Sequence, residues 1–164
     1  MKQRFASVLA GALLVAGLSS PAIAQDTCRP VVGHFEASLV PAGQGHCPVG
    51  AEFCTAGRVW GGIQGTYQFV MTAATPSILT GGVPTILFFT GKSTVFLKSG
   101  EQLEGTDTGS IDTPPGRGGF ASLITFGPPT DPASAASGQI RLRGEFDAAE
   151  GATTGDYIGT ICTP

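Results

Sequence analysis

Asparagine does not occur in this 164-residue chain, histidine occurs twice, tryptophan once, and charged residues make up only 13% of the positions. Without asparagine, glycine must supply the backbone positions with positive φ, which accounts for part of a glycine count of 25. Lysine and arginine are few and scattered, so the clustered bases that release counterions from a nucleic acid are missing, and no nucleic-acid partner is expected. There is no C-x-x-C pair. Two catalytic motifs fail as well. Gly91-Lys92-Ser93 lacks the earlier glycine of a phosphate-binding loop, because position 86 is isoleucine. The G-x-S-x-G elbow of serine hydrolases fails because Val95 stands where its last glycine belongs. Gly91-Lys92-Ser93 therefore reads as a hairpin turn.

Long apolar runs are missing outside the first 24 residues. Lys2 and Arg4 precede an apolar segment from Phe5 to Leu18, and Ala22-Ile23-Ala24 offers the small residues of a leader-cleavage site. A signal peptide over residues 1–24 and a single folded domain over 25–164 are expected, with a periplasmic or extracellular destination. Loss of Lys2 and Arg4 takes the basic residues from nine to seven against twelve acidic ones, and the net charge from −3 to −5. No membrane association is expected of the mature form.

All four cysteines lie after the leader: Cys28, Cys47, Cys54 and Cys162. An even number in an oxidising compartment reads as two disulfides, for which three pairings exist. Cys47–Cys54 with Cys28–Cys162 is favoured, the first closing a turn-rich stretch and the second tying the two ends of the mature chain. A metal site built from His34, His46, Cys47 and Cys54 is the competing reading. It lacks the usual ligand spacing, so no metal and no cofactor is expected.

Helical periodicity is nearly absent after residue 25, and glycine or proline interrupts most windows. The fold class expected is all-β. Candidate strands are 31–40, 62–73, 85–90, 94–99, 102–112, 120–127, 138–146 and 153–162. Eight strands make a closed barrel or a two-sheet sandwich. In an up-and-down barrel the first and last strands are antiparallel neighbours, and Cys28 and Cys162 stand where such a seam would be stapled. The expectation is an eight-stranded antiparallel β-barrel with long loops and two disulfides.

Alternation sorts the side chains into faces. Val31, Gly33, Phe35, Ala37 and Leu39 share one side, and so do Ile63, Gly65, Tyr67, Phe69 and Met71. Ile140, Leu142 and Phe146 oppose Gln139, Arg141, Arg143 and Glu145, a solvated face. Leu103, Gly105, Asp107, Gly109 and Ile111 fall together, which makes Asp107 the one acid on an apolar face. If that face lines a barrel, burial raises the pKa of Asp107 and gives a proton donor or acceptor in a dry cavity. If the flanking glycines mark a bulge, Asp107 turns outward instead. Candidate catalytic residues are Asp107 and Tyr67; candidate ligand-binding residues are Phe35, Phe69 and Tyr157. His34 falls on a polar face and reads as a surface residue, and Trp60 reads as a packing residue.

The run Gly138-Gln-Ile-Arg-Leu-Arg-Gly-Glu-Phe146, followed by Gly151-Ala-Thr-Thr-Gly155-Asp-Tyr157-Ile-Gly159-Thr-Ile161, resembles the paired C-terminal strands of allene oxide cyclase-like and dirigent-like barrels. The stretch from Leu97 to Gly109 is similar to the central hairpin of the same group, and the resemblance covers roughly residues 62 to 162. It implies a small eight-stranded barrel with a largely apolar cavity, exported in bacterial members. Plant relatives guide the cyclisation of lipid epoxides or the coupling of phenoxy radicals. The loop holding Cys47 and Cys54 departs from the plant pattern.

Three functions are compatible with these features. The first is binding of a hydrophobic small molecule in the barrel interior. The second is an isomerase or cyclase that confines a reactive intermediate, and the third is a secreted structural or interaction domain with a filled core. Protein recovered from its exported location is expected to have the intact mass of residues 25–164 with both disulfides formed; a mass that retains Met1 would overturn the leader assignment.

Overall fold

Period-two alternation of apolar and polar side chains, broken by glycine-rich turns, produces eight strands and, among the described residues, no helix. The computed structural model describes residues 27–77, 86–114, 117–127 and 136–163. The expected leader lies outside them. The strands are β1 (Thr27–Leu39), β2 (Cys54–Gly61), β3 (Gly65–Pro76), β4 (Ile86–Leu97), β5 (Gln102–Asp112), β6 (Arg117–Phe126), β7 (Ser137–Asp147) and β8 (Ala152–Thr163).

Each strand pairs antiparallel with the next, and β1 pairs with β8, so the sheet closes into a barrel rather than a sandwich. The seam is long: it runs in register from Thr27 opposite Thr163 to Ser38 opposite Ala152. Cys28 faces Cys162 in that register and is bonded to it, and Cys47 is bonded to Cys54. Both expected disulfides are therefore present, and the thiolates required for a metal site with His34 and His46 are not available.

Two strand assignments need correction. Residues 54–61 form β2, which the sequence pattern misses because two of its inward positions are Thr55 and Gly57. Conversely, Gly91-Lys92-Ser93 is not a turn but the middle of β4, where Gly91 pairs with Met71 on one side and Asp107 on the other. Glycine is required there because a Cβ at position 91 would stand 2.3 Å from the Phe69 ring. The eight expected strands thus split one real strand and omit another. The strand expected over 120–127 also starts earlier, since Arg117, Gly118 and Gly119 belong to β6.

Inside, the predicted faces hold. Val31, Phe35, Ala37, Tyr67, Phe69, Leu103, Asp107, Ile140 and Leu142 are all buried, whereas Leu39 has passed the rim and is 41% exposed. Glu36, Arg58, Lys92, Glu104, Arg141, Arg143 and Glu145 are exposed on the outer wall. Every described residue with positive φ is a glycine, as the lack of asparagine requires.

The two ends of the barrel differ. At the end carrying Thr27 and Thr163, Val31, Val95, Leu103, Ile124, Ile140 and Ile161 fill the interior, together with Tyr157. The Tyr157 hydroxyl accepts from the Ile63 backbone N–H at 2.7 Å and donates towards the carbonyls of Ile63 (3.2 Å) and Trp60 (3.3 Å). It locks the β2–β3 connection over that end, and a Cβ at Gly33 would stand 2.5 Å from this hydroxyl. Trp60 itself points outward, 42% exposed and tilted against His34, so it is not a core packing residue.

The Cys28–Cys162 bond closes a span of 134 residues and Cys47–Cys54 one of 7. Chain entropy assigns them about 5 and about 2.5 kcal/mol. Cys28→Ser with Cys162→Ser is accordingly expected to lose about twice the urea-unfolding free energy lost by Cys47→Ser with Cys54→Ser; equal losses would contradict the seam's role.

Candidate ligand cavity

At the opposite end the interior is not filled. A cavity of about 50 Å³ lies beneath a ring of aromatic side chains, with Phe35, Tyr67, Asp107, Ser122 and Leu142 deeper and Phe53, Phe69, Phe89, Phe120 and Phe146 towards the opening. The rings meet edge to face: Phe53 with Phe146 at 5.5 Å, Phe69 with Phe89 at 5.5 Å and Phe35 with Phe120 at 5.7 Å between centroids. These separations are in the favourable range for aromatic pairs.

Phe53 comes from the connection between β1 and β2 rather than from a strand. Its carbonyl accepts from the Met71 N–H at 2.9 Å, and the neighbouring Cys54 is bonded to Cys47. His46, on the same connection, donates from Nε2 to the Phe69 carbonyl at 3.2 Å. The loop is thereby tied down on both sides of the ring it presents.

The polar floor is built by a diagonal that steps across neighbouring strands. Ser93 of β4 lies opposite Phe69 and Gly105, so its hydroxyl reaches diagonally to Tyr67 on β3 and to Asp107 on β5. Ser93 Oγ donates to Asp107 Oδ2 at 2.9 Å. With that proton committed, the Tyr67 hydroxyl donates to Ser93 Oγ at 3.2 Å. The result is a buried relay from phenol to hydroxyl to carboxylate.

Asp107 does not sit on a bulge. β5 pairs without a register shift with β4 along its whole length, and with β6 from Gly105 to Ile111; the one bulge in these ladders falls between Met71 and Ala73 of β3. The flanking glycines serve space instead. Gly109 lies opposite Ser122, and a Cβ there would stand 2.6 Å from the serine Cβ. Asp107 is only 2% exposed, and its Oδ1 has no hydrogen-bond partner among the described residues. Burial pushes its pKa up to about 6, opposed by the hydroxyls of Ser93, then Ser122 and Tyr67. Burial, with the nearby Asp107 charge, raises the Tyr67 pKa well above the phenol range and keeps it neutral.

Of the residues singled out from sequence, Asp107, Tyr67, Phe35 and Phe69 are brought together in this cavity. Tyr157 is not. Its parity is inward as expected, but it lies at the closed end with its hydroxyl engaged by backbone. His34 is on the outer wall, its Nδ1 2.5 Å from Asp156 Oδ1. Ser93, Ser122, Thr55 and Phe53 were missed; Ser122 was accessible to the same alternation count, since Phe120, Ser122, Ile124 and Phe126 share one face. Among the described residues no cluster of three or more His, Cys, Asp or Glu could hold a metal. No family model, curated protein or solved structure matches the chain.

The raised pKa has a consequence for stability. Since the folded-state pKa lies above the unfolded value of 3.8, the native state binds the extra proton between pH 4 and 6, and stability is lost as pH rises through that window. Relative to wild type, Asp107→Asn is expected to gain about 2 kcal/mol in urea unfolding between pH 4 and pH 7.5. A difference that stays flat with pH would show that the carboxylate is not buried at a cost.

Proposed function

We propose that the protein is an exported carrier that holds a small, mainly apolar molecule at the open end of its barrel. The observation that carries this reading is the combination of an unfilled, aromatic-walled end with one carboxyl group, Asp107, among the few polar side chains that line it. Pockets of this character, apolar with few polar groups to fix orientation, are the usual form of small-molecule sites. The enclosed volume of about 50 Å³ takes only a few non-hydrogen atoms, so the remainder of the molecule lies between the rings of Phe53, Phe89 and Phe146. The two disulfides fit an oxidising compartment, and charged residues on the outer wall reverse the polarity of a membrane barrel. The likeness of residues 62 to 162 to allene oxide cyclase-like and dirigent-like barrels agrees with an apolar interior ligand.

A second reading is favoured by one observation, the Tyr67–Ser93–Asp107 relay ending in a carboxyl group whose pKa is about 6. An acid so tuned can take a proton from, or return it to, a confined molecule near neutral pH, as an isomerase or cyclase requires.

Native mass spectrometry of protein purified from its own host tests both. Wild type is expected to carry a small molecule, and Ser122→Leu, which fills the cavity, to lose it. If the recovered molecule stays unchanged on incubation with fresh wild type, carriage is supported, whereas conversion to an isomer that Asp107→Asn does not form supports the second reading. An empty wild-type barrel would overturn the proposal.

A further inference from the structure

Resting on the carrier reading, the chemical class of the ligand can be narrowed by asking what the floor of the cavity lacks. Asp107 lines the cavity at 2% exposure; its Oδ2 accepts from Ser93, and its Oδ1 has no hydrogen-bond partner among the described residues. Leaving a buried acceptor unpaired is costly, and leaving a buried charge without a counter-charge is costlier. Every lysine and arginine among the described residues is exposed, so none supplies that counter-charge. The remaining polar atoms lining the cavity are the hydroxyls of Thr55, Tyr67, Ser122 and Thr153. They can accept from a donor but cannot neutralise a carboxylate. Around them stand aromatic faces, which attract cations and repel anions.

We propose that the ligand is a primary amine with an apolar tail, its ammonium group seated on Asp107 Oδ1 and its tail directed between the rings at the open end. Three features of an ammonium head match this floor. Its positive charge pairs with the carboxylate, its N–H donors meet Asp107 Oδ1 and the Ser122 and Thr55 hydroxyl oxygens, and its size fits an enclosed volume of about 50 Å³. A carboxylate ligand would be repelled by Asp107. A neutral alcohol could donate a single hydrogen bond but would leave the charge unpaired.

The titratable groups that line this site are Asp107 itself on β5 and Tyr67 on β3, the latter neutral throughout the accessible range; the cavity's other lining residues, from β1, β2, β4, β6, β7, β8 and the β1–β2 connection, carry no titratable group. Amine binding therefore follows the ionisation of Asp107 alone. The proton equilibrium of the free amine does not interfere, since alkylammonium groups stay charged below about pH 10.

The test is calorimetric titration of the oxidised, exported protein with n-hexylamine, 1-hexanol and hexanoate at pH 7.5. Hexylamine is expected to bind at least about thirtyfold more tightly than hexanol, with hexanoate not binding, as suits an ion pair in a dry site. At pH 5, where Asp107 is about nine-tenths protonated, hexylamine affinity is expected to drop about tenfold while that of hexanol holds. Asp107→Asn, nearly isosteric and checked for folding by its melting temperature, should erase the preference for the amine. Equal or tighter binding of hexanol by wild type overturns the amine assignment and leaves the carrier reading standing. Failure of all three probes, on protein that still carries a neutral molecule from its host, likewise overturns it. Failure of all three on protein that arrives empty overturns the carrier reading as well.

Discussion

The structure depends on closure of the sheet by the pairing of β1 with β8. A sheet of this length with free edges would expose rows of unpaired N–H and C=O groups, and closure removes both edges at once. It also defines an inside. Only with the seam shut are the inward positions of eight strands withdrawn from water together, and only then does one aspartate on an apolar face meet a surrounding that penalises its charge. The Cys28–Cys162 bond and the register from Thr27–Thr163 to Ser38–Ala152 therefore lie upstream of the chemistry at Asp107, although the disulfide sits at the far end of the barrel.

Within the enclosed space polarity is graded along the barrel axis. Aliphatic side chains and the backbone-bound phenol of Tyr157 make one end solid; a band of hydroxyls and the carboxyl group follows; aromatic rings complete the other end. Eight strands leave an interior just wide enough to be filled by side chains or to hold one small guest. Here one end is packed and the other keeps a cavity. Small residues decide where the change takes place: Ser93 and Ser122 stand at inward positions where a leucine would have continued the packed core, and Gly109 opposite Ser122 leaves that side chain room.

Much of this was legible in the sequence because alternation is a strict signal wherever inward residues are large. The inward sets of β1, β3, β5 and β7 follow directly from it, and the cysteine positions favour a barrel over a sandwich, which the β1–β8 pairing then decides. β2 was hidden because its inward positions include Thr55 and Gly57, which carry no apolar signal. β4 was cut in two because glycine, lysine and serine in succession are also the chemistry of a turn, and only the presence of the Phe69 ring over Gly91 distinguishes the cases. The site shows the same division. Asp107, Tyr67, Phe35 and Phe69 were found from parity. Parity gives a face and not a depth, however, so Tyr157 was placed in the cavity when it caps the opposite end. Phe53 could not be found by periodicity at all, since it is held in place by a loop and its disulfide.

The location of the seam's outer end has a geometric consequence. Thr27 and Thr163 emerge side by side at the filled end, and the aromatic opening faces the other way. A tether, surface or fused domain attached through either strand terminus would thus hold the barrel by its filled end, with the aromatic rings at the end away from the attachment. Were the cavity to take up a molecule as proposed, the packing of the filled end would put its entry and its departure at the same end of the barrel.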